Sequence, residues 1–528
     1  MKKRITLLIL CCTSFTFAQL LLDPTYGNGG IVDTGLPSGN AYNSGISGVS
    51  NASYFYQDRS VLIPYSLNPN FSIQFPNLAP TIGVKKYLEN GSLDPSFGTN
   101  GTALFTSNNH AERFDISGIT VQNDGKIVLV GRSHNLGGFT TDYRVFICRL
   151  NANGTKDTSF GTNGVTILNT YVETSADPND ERLTDVTVDS QGRILAVGYN
   201  YWYLGGTNYD GSGLAIRFTA NGAVDTTFGV NGIFESPLTG TDSFSNIYAA
   251  DNGDFLLLGN VVPSSTSSNL TVMRINSNGS LTTWFGTNGI TQINFGGKTY
   301  PGNLFVQFNG SLMVAGLNVT SGLAFAKLDP NGVLDPSFSG DGMSFTNIAV
   351  PNHYTIGAEN YPGISSDLIE QMPNGQYILC MTVRQSNSYN YIIAHLNEDT
   401  TLYSAFMTNG YYLNDVTAWD WARAAHLQND NKLVVMVSAI LYRYQDYISL
   451  SSPEVSSPLQ AFYPNPTKTS LELGQTYDEV ILFDALGKQV FTRKHVETLD
   501  LSSLEAGVYY VQVQLATGER VTRKVVKE

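Results

Sequence analysis

Cysteine and charge are both scarce in this chain of 528 residues, which holds 4 Cys and only 14% Asp, Glu, Lys and Arg. Cys11 and Cys12 fall in a short apolar run near the N-terminus, so Cys148 and Cys380, each inside a strand-like run, remain. Two distant cysteines exclude a disulfide framework and are expected as buried free thiols. Clustered basic residues are lacking too: the net charge is −14, and +3 in residues 1–18 with −1 from residue 458 onward leaves −16 between them. That balance excludes nucleic acid as a partner, since such binding needs Lys and Arg to displace counterions. Beyond Ile5–Cys12 no run approaches the ~18 apolar residues of a membrane span. The histidines (His110, His134, His353, His395, His426 and His495) form no pair at metal-ligand spacing, and no Gly-x-Ser-x-Gly elbow opens a helix. No catalytic constellation stands out, and no cofactor is implied.

Glycine and tyrosine are abundant, with 51 Gly and 29 Tyr. Phe-Gly-x-Asn-Gly occurs in full at Phe97, Phe160, Phe228 and Phe285, and in looser form at Tyr26, Phe338 and Phe406. The starts are separated by 71, 63, 68, 57, 53 and 68 residues, the mark of one supersecondary unit repeated seven times. In the unit starting at Phe97 the phrase leads into a short strand (102–105). A hairpin follows, turning at Asn123-Asp124-Gly125, and then a last strand over 143–150. Four antiparallel strands per unit predict an all-β fold, a seven-bladed β-propeller over residues 19–450, because a ring of blades hides most sheet edges. The closing strand is not evident: residues 19–22 are short, and the seventh unit, from Phe406, is expected to own four strands.

Asp-x-x-Phe-Gly-x-Asn-Gly followed by a Gly-bearing hairpin resembles the delta-60 repeat family of secreted bacterial proteins. Departures are Thr282 for the Asp, Ser339 for the first Gly and Asp341 for the Asn. The resemblance implies a propeller-like layout and no particular activity. The repeated aspartates (Asp23, Asp94, Asp157, Asp225 and Asp335) are expected to cap turns, because a group needed once for catalysis has no reason to recur. Calcium in loops such as 151–157 is the competing reading, weakened by the neutral Asn oxygens there. The repeated Phe reads as a core plug.

After a polar linker (451–460) the phrase vanishes, and 461–528 reads as six short strands forming a small C-terminal β-sandwich. Its motifs are Tyr463-Pro464-Asn465-Pro466, then Ile481 to Lys488 around Gly487, then Leu504 to Tyr509 with Gly507, and Lys524 to Lys527 at the end. In that order they resemble the type A C-terminal sorting domain of the type IX secretion system of Bacteroidetes. The resemblance implies a partner in that machinery, delivery to the cell surface or medium, and cleavage near the linker. Residues 1–18 have the layout of a secretory signal peptide, Lys2, Lys3 and Arg4 preceding the apolar run and Ala18 closing it.

Two stretches break the repeat. Tyr199-Asn-Tyr201-Trp202-Tyr203 with Gly205, Gly206, Tyr209 and Asp210 is expected as a long aromatic loop, and Trp419-Asp420-Trp421 forms a second cluster. Aromatic faces beside amides and carboxylates suit sugar rings, so Tyr201, Trp202, Tyr203, Tyr209, Trp419 and Trp421 are the candidate ligand-binding residues for an extracellular glycan or protein. The alternatives are that they only pack loops onto the ring, that the protein is a structural surface component, or that carboxylates such as Asp210, Asp242 and Asp420 converge to act on polysaccharide.

Overall fold

A computed structural model describes residues 20–36, 52–67, 81–106, 112–135, 142–170, 180–205, 208–250, 252–264, 266–307, 309–346, 348, 355–356, 369–372, 374–385, 388–404, 406–407, 409–414, 422–445, 467–484, 489–514 and 520–528. One unit ends at Ser452, and another holds Pro453–Glu528. Among the described residues of the first unit are seven antiparallel sheets. Sheet 1 runs from Tyr54–Phe55 to Thr102–Thr106. Sheet 2 holds Glu112–Val121, Ile127–Asn135, Asp142–Leu150 and Val165–Leu168, and sheet 3 Asp180–Val188, Ile194–Gly205, Asn208–Phe218 and Ile233–Glu235. Sheet 4 runs from Thr241–Ala249 to Ile290–Ile293, sheet 5 from Thr299–Val306 to Met343–Thr346, and sheet 6 from Thr355–Ile356 to Tyr411–Asn414.

Sheet 7 corrects the sequence reading. The strand after each phrase pairs backward, onto the strand before it: Val145 opposes Leu168 across the copy at Phe160. Tyr411–Asn414, expected in the seventh unit, therefore completes sheet 6. Sheet 7 owns only Ala422–Leu427, Leu433–Val437 and Ile440–Tyr444, and its fourth strand is Ile31–Asp33 from the far end of the chain, Val32 opposing Leu441. The ring is closed by the strand that follows the first phrase. Sheets 7 and 1 then share one core of Val32, Val61, Ile63, Met436 and Leu441.

The repeated phrase is the joint between sheets. The amide of its first Gly donates to the Asn carbonyl in the Asn-Gly turn of the next sheet: Gly27 to Asn90, Gly98 to Asn153, Gly161 to Asn221, Gly229 to Asn278 and Gly286 to Asn331, all at 2.6–2.8 Å. The Gly of that turn is fixed twice. At Gly222 φ is +84°, and a Cβ would lie 2.8 Å from the Phe160 ring.

Each Asp caps its turn as expected, Asp157 Oδ1 accepting from the Ser159 amide at 3.1 Å and hydroxyl at 2.6 Å. Its second oxygen has a partner that sequence reading missed. The penultimate residue of the third strand is Lys86, Arg149, Arg217, Arg274, Lys327, His395 and Arg443 in sheets 1 to 7. Arg149 meets Asp157 at 2.8 Å, lies 4.4 Å from the centroid of the Phe160 ring and donates to Ala220 O of the next sheet at 2.6 Å. Where Thr282 replaces the Asp, Arg274 turns to Asp254 at 2.8 Å and stacks on Trp284. In sheet 6 the pair is replaced by His395 against Tyr403, and burial pushes the His395 pKa down to about 4.

First strands of consecutive sheets touch at the hub, and most carry a β-bulge, as between Leu183 and Asp185. The freed groups stitch neighbours together: Asp185 Oδ2 accepts from Ile247 N at 3.0 Å, and Asn303 Nδ2 donates to Ile369 O at 3.0 Å. Cys148 and Cys380 are buried free thiols, pushed well above the usual thiol range by burial.

In the second unit the six expected strands are four: Ser470–Asp484, Gln489–Asp500, Gly507–Gln514 and Arg520–Lys527. The pairing of the two long strands breaks register between Glu472 and Tyr477, and Leu471, Leu499 and Leu501 share one core with Val480, Val511 and Val525.

Candidate ligand-binding face

The phrase and the Asn-Gly turns lie at one end of the sheets; the hairpins joining second to third strands lie at the other. In sheet 3 that hairpin is the aromatic stretch. It is not a loop: Ile194–Gly205 and Asn208–Phe218 stay paired almost to the tip, Trp202 opposing Asp210, Tyr203 opposing Tyr209 and Gly205 opposing Asn208. Aromatic residues favour the pleated, half-buried surface of a strand, and that preference extends the ladder.

Tyr199 and Tyr201, two residues apart on one face, stack with ring centroids 4.2 Å apart and planes at 21°. Tyr201 and Trp202 are half-buried. Burial raises the Tyr201 hydroxyl above the usual phenol range against a hydrogen bond with Ser243 of sheet 4. Beside Ser243, Asp242 is buried and accepts from Gly213 N of sheet 3 at 3.2 Å. Burial pushes its pKa up to about 6, opposed by hydrogen bonds from Ser236 and Gly213 and reinforced by the charge of Asp210. Asp210 itself accepts from Gly211 N at 2.9 Å.

The structure thus places Trp202 opposite Asp210 on one face of the sheet 3 hairpin and Tyr201 on the other face, near Ser243 and Asp242 of sheet 4. Tyr203 and Tyr209 are placed by their backbone at the hairpin end. Trp419, Asp420 and Trp421 lie outside the described residues. In the loop proposed for calcium, Asn153 Oδ1 accepts from Thr155 N and Oγ1 at 3.0 and 2.7 Å, and Asp157 is held by Arg149 and Lys126. Those oxygens are already engaged. Among the described residues no three His, Cys, Asp or Glu side chains gather as a metal site.

Of the sorting motif, Gly507 and Tyr509 open the third strand of the second unit, where Tyr509 Oη donates to Glu505 O at 3.0 Å. Lys524 and Lys527 lie on the last strand, with Lys527 buried and Glu528 N donating to Thr467 O at 2.9 Å. Tyr463, Pro464, Asn465, Pro466 and Gly487 fall outside the described residues, as does the 1–18 segment.

Residues 461–528 match the family described as the secretion system C-terminal sorting domain. The chain ends in a type IX sorting domain. It is exported by that system to the cell surface or medium. Residues 122–160 and 307–338 match a β-propeller domain of unknown function, DUF5122, in line with the delta-60-like repeat. Among solved structures, the chain is similar to PorZ, a surface component of the type IX secretion system of Porphyromonas gingivalis, at 11% identity and a TM-score of 0.32, covering 91% of this chain and 59% of that one. It is also similar to the polysaccharide lyase Uly1, at 10% identity and a TM-score of 0.38, covering 75% of this chain and 89% of that one. No curated protein matches the sorted propeller. In the described residues no helix is long and apolar enough to cross a membrane.

Proposed function

We propose that the sorted propeller is a binding protein that holds an extracellular glycan or protein at the sheet 3 hairpin. The observation that carries this reading is the long paired aromatic hairpin of sheet 3: it sets Trp202 beside Asp210 on one face and Tyr201 near Asp242 on the other, a combination of ring faces and acceptors that suits sugar C–H edges and hydroxyls. The mechanism is recognition with no bond broken. On a glycan array, selective binding by the mature protein that is lost in Trp202→Ala with an unchanged melting temperature supports the reading; an array without hits, or hits untouched by the substitution, removes the hairpin as the site.

A second reading, action on polysaccharide, has one observation in its favour. Asp242 keeps its proton to about pH 6, and a carboxyl still protonated at that pH is what general acid catalysis requires. Release of new chain ends from a bound polysaccharide, abolished in Asp242→Asn, would establish this alternative.

A further inference from the structure

Where sheets 2 and 3 meet, close to the hub and at the hairpin end, five charged side chains gather in a region of the chain that is otherwise acidic. In sheet 2, Arg113, His134 and Tyr143 lie directly opposite one another across three strands, and Asp115 opposes Arg132 in the next row but one on the same face. Arg132 spans the gap to sheet 3, meeting Asp115 at 3.1 Å and Asp180 at 2.8 Å, while its guanidinium lies 4.5 Å from the centroid of the Tyr143 ring. Two residues beyond Asp180, on the same face of its strand, stands Arg182, opposite Tyr199.

Both carboxylates are thus engaged by Arg132, and a further guanidinium group, Arg182, flanks the pair, with Arg113, itself engaged, on the far side of His134. His134 is the second, independent observation. Its imidazole is 8% exposed, sits edge-on to Tyr143 at 5.1 Å, and its Nδ1 has no hydrogen-bond partner among the described residues. Arg182 Nε is buried and likewise unpartnered there. A buried polar atom without a partner is costly, and one that persists in a folded chain calls for a ligand or water to satisfy it. Burial, together with the charges of Arg132 and Arg113 and against those of Asp115 and Asp180, brings the His134 pKa down to about 4, so the imidazole is neutral at pH 7 and able to donate from one nitrogen.

We propose that Arg182 and His134, with the positive charge of Arg113 beside them, form a binding site for the oxyanion of an acidic saccharide, a uronate carboxylate or a sulfate ester. Planar guanidinium groups pair with such oxygens through two parallel hydrogen bonds, and the Tyr199–Tyr201 stack leads from this site along the sheet 3 hairpin, giving the rest of the sugar an aromatic surface. This deepens the glycan reading of the hairpin and rests on it for the saccharide, though not for the anion.

The test therefore has two arms. In the first, the full mature protein with labelled histidine is titrated with sodium sulfate and with glucuronate while the His134 imidazole resonance is followed at constant ionic strength. A saturable shift, weakened at least tenfold in Arg182→Gln with the melting temperature unchanged, is the expected result; no saturable shift with either anion overturns the anion site. In the second, uronate-bearing and sulfated oligosaccharides are compared with neutral ones on the array. Preference for acidic saccharides lost in Arg182→Gln supports the full proposal. Anion binding without saccharide binding overturns the saccharide while leaving the anion site. Neutral saccharide binding untouched by Arg182→Gln overturns the proposal but leaves the hairpin reading in place.

Discussion

The Arg217 side chain holds three separate parts of the fold at once. Its Nε meets Asp225 at 2.8 Å, its guanidinium lies 4.8 Å from the Phe228 ring centroid, and Nη1 donates to Ser277 O in the following sheet. With the Arg 2% exposed, Arg217→Met strands Asp225 without its cation and is expected to cost about 3 kcal/mol in chemical denaturation. Arg217→Met with Asp225→Asn should recover much of that loss, because an apolar pair leaves no uncompensated charge. The carboxylates also set the acid limb of stability. For Asp225 the Thr227 hydroxyl bond leads, against burial, in lowering the pKa below the ordinary 3.8, so its stabilisation is complete above that value and fades as pH falls through the folded pKa. Asp185 has the opposite sign. Burial raises it to about 6 despite amide bonds from Ile247 and Val186, so the folded protein holds the extra proton and stability declines as pH rises from about 4 to about 6. Asp185→Asn should flatten that decline in melting temperature, and adding Asp242→Asn should remove more of it; an unchanged slope would mean that neither group holds its proton. None of the partners of Asp225 was legible in the sequence except Thr227. A basic residue just before the end of every third strand was there to be read, but Lys, Arg and His alternate in it, and its meaning depends on a turn eight residues away.

At the scale of strands and turns, the repeat exposed most of the plan and hid one step of it. Strand, turn and strand follow the phrase in the same order whether the strand after it belongs to the sheet ahead or behind; only pairing in space decides, and Val145 against Leu168 decides it. The aromatic stretch stands out in the sequence as a departure from the repeat and predicts a long loop, whereas its run of Tyr and Trp sustains the pairing almost to the tip. The acidic saccharide site was invisible, since Arg113, Arg182 and His134 come from three strands of two sheets. Two glycines separate the demands of a turn from those of a joint. Gly253 and Gly222 both have φ of +84°, but a Cβ on Gly253 would meet nothing within 4 Å, whereas on Gly222 it would press on Phe160. Gly253→Ala is expected to cost about 1 kcal/mol from backbone strain alone, and Gly222→Ala at least about 1 kcal/mol more in the same denaturation assay.

For the whole molecule, stability depends on a strand of three residues. Val32→Asp places a charge in the core shared by sheets 7 and 1 and removes the fit of Ile31–Asp33 against Ile440–Tyr444. The expected outcome is early, localised opening: limited proteolysis should cut within sheets 7 and 1 first, leaving sheets 3 and 4 protected, whereas uniform loss of protection would place the weak point elsewhere. Export is tested apart from folding. Removing 461–528 should leave the propeller inside the outer membrane, and intact mass of the delivered form should end near residue 455; a surface form retaining Lys527 would contradict cleavage near the linker.

The closing pair also fixes an order of events during synthesis. Ile31–Asp33 is made before the other six sheets, and Ile440–Tyr444, its partner, only after them. The first part of the propeller to emerge must therefore wait, unpaired, for the last. A truncated product that stops short of Tyr444 has an open edge at both ends and no seam to join them. The sorting domain is translated just after that partner strand. A chain able to present its export address has, by construction, already received everything it needs to lock its ring, so the order of the gene doubles as a completeness check on what reaches the cell surface.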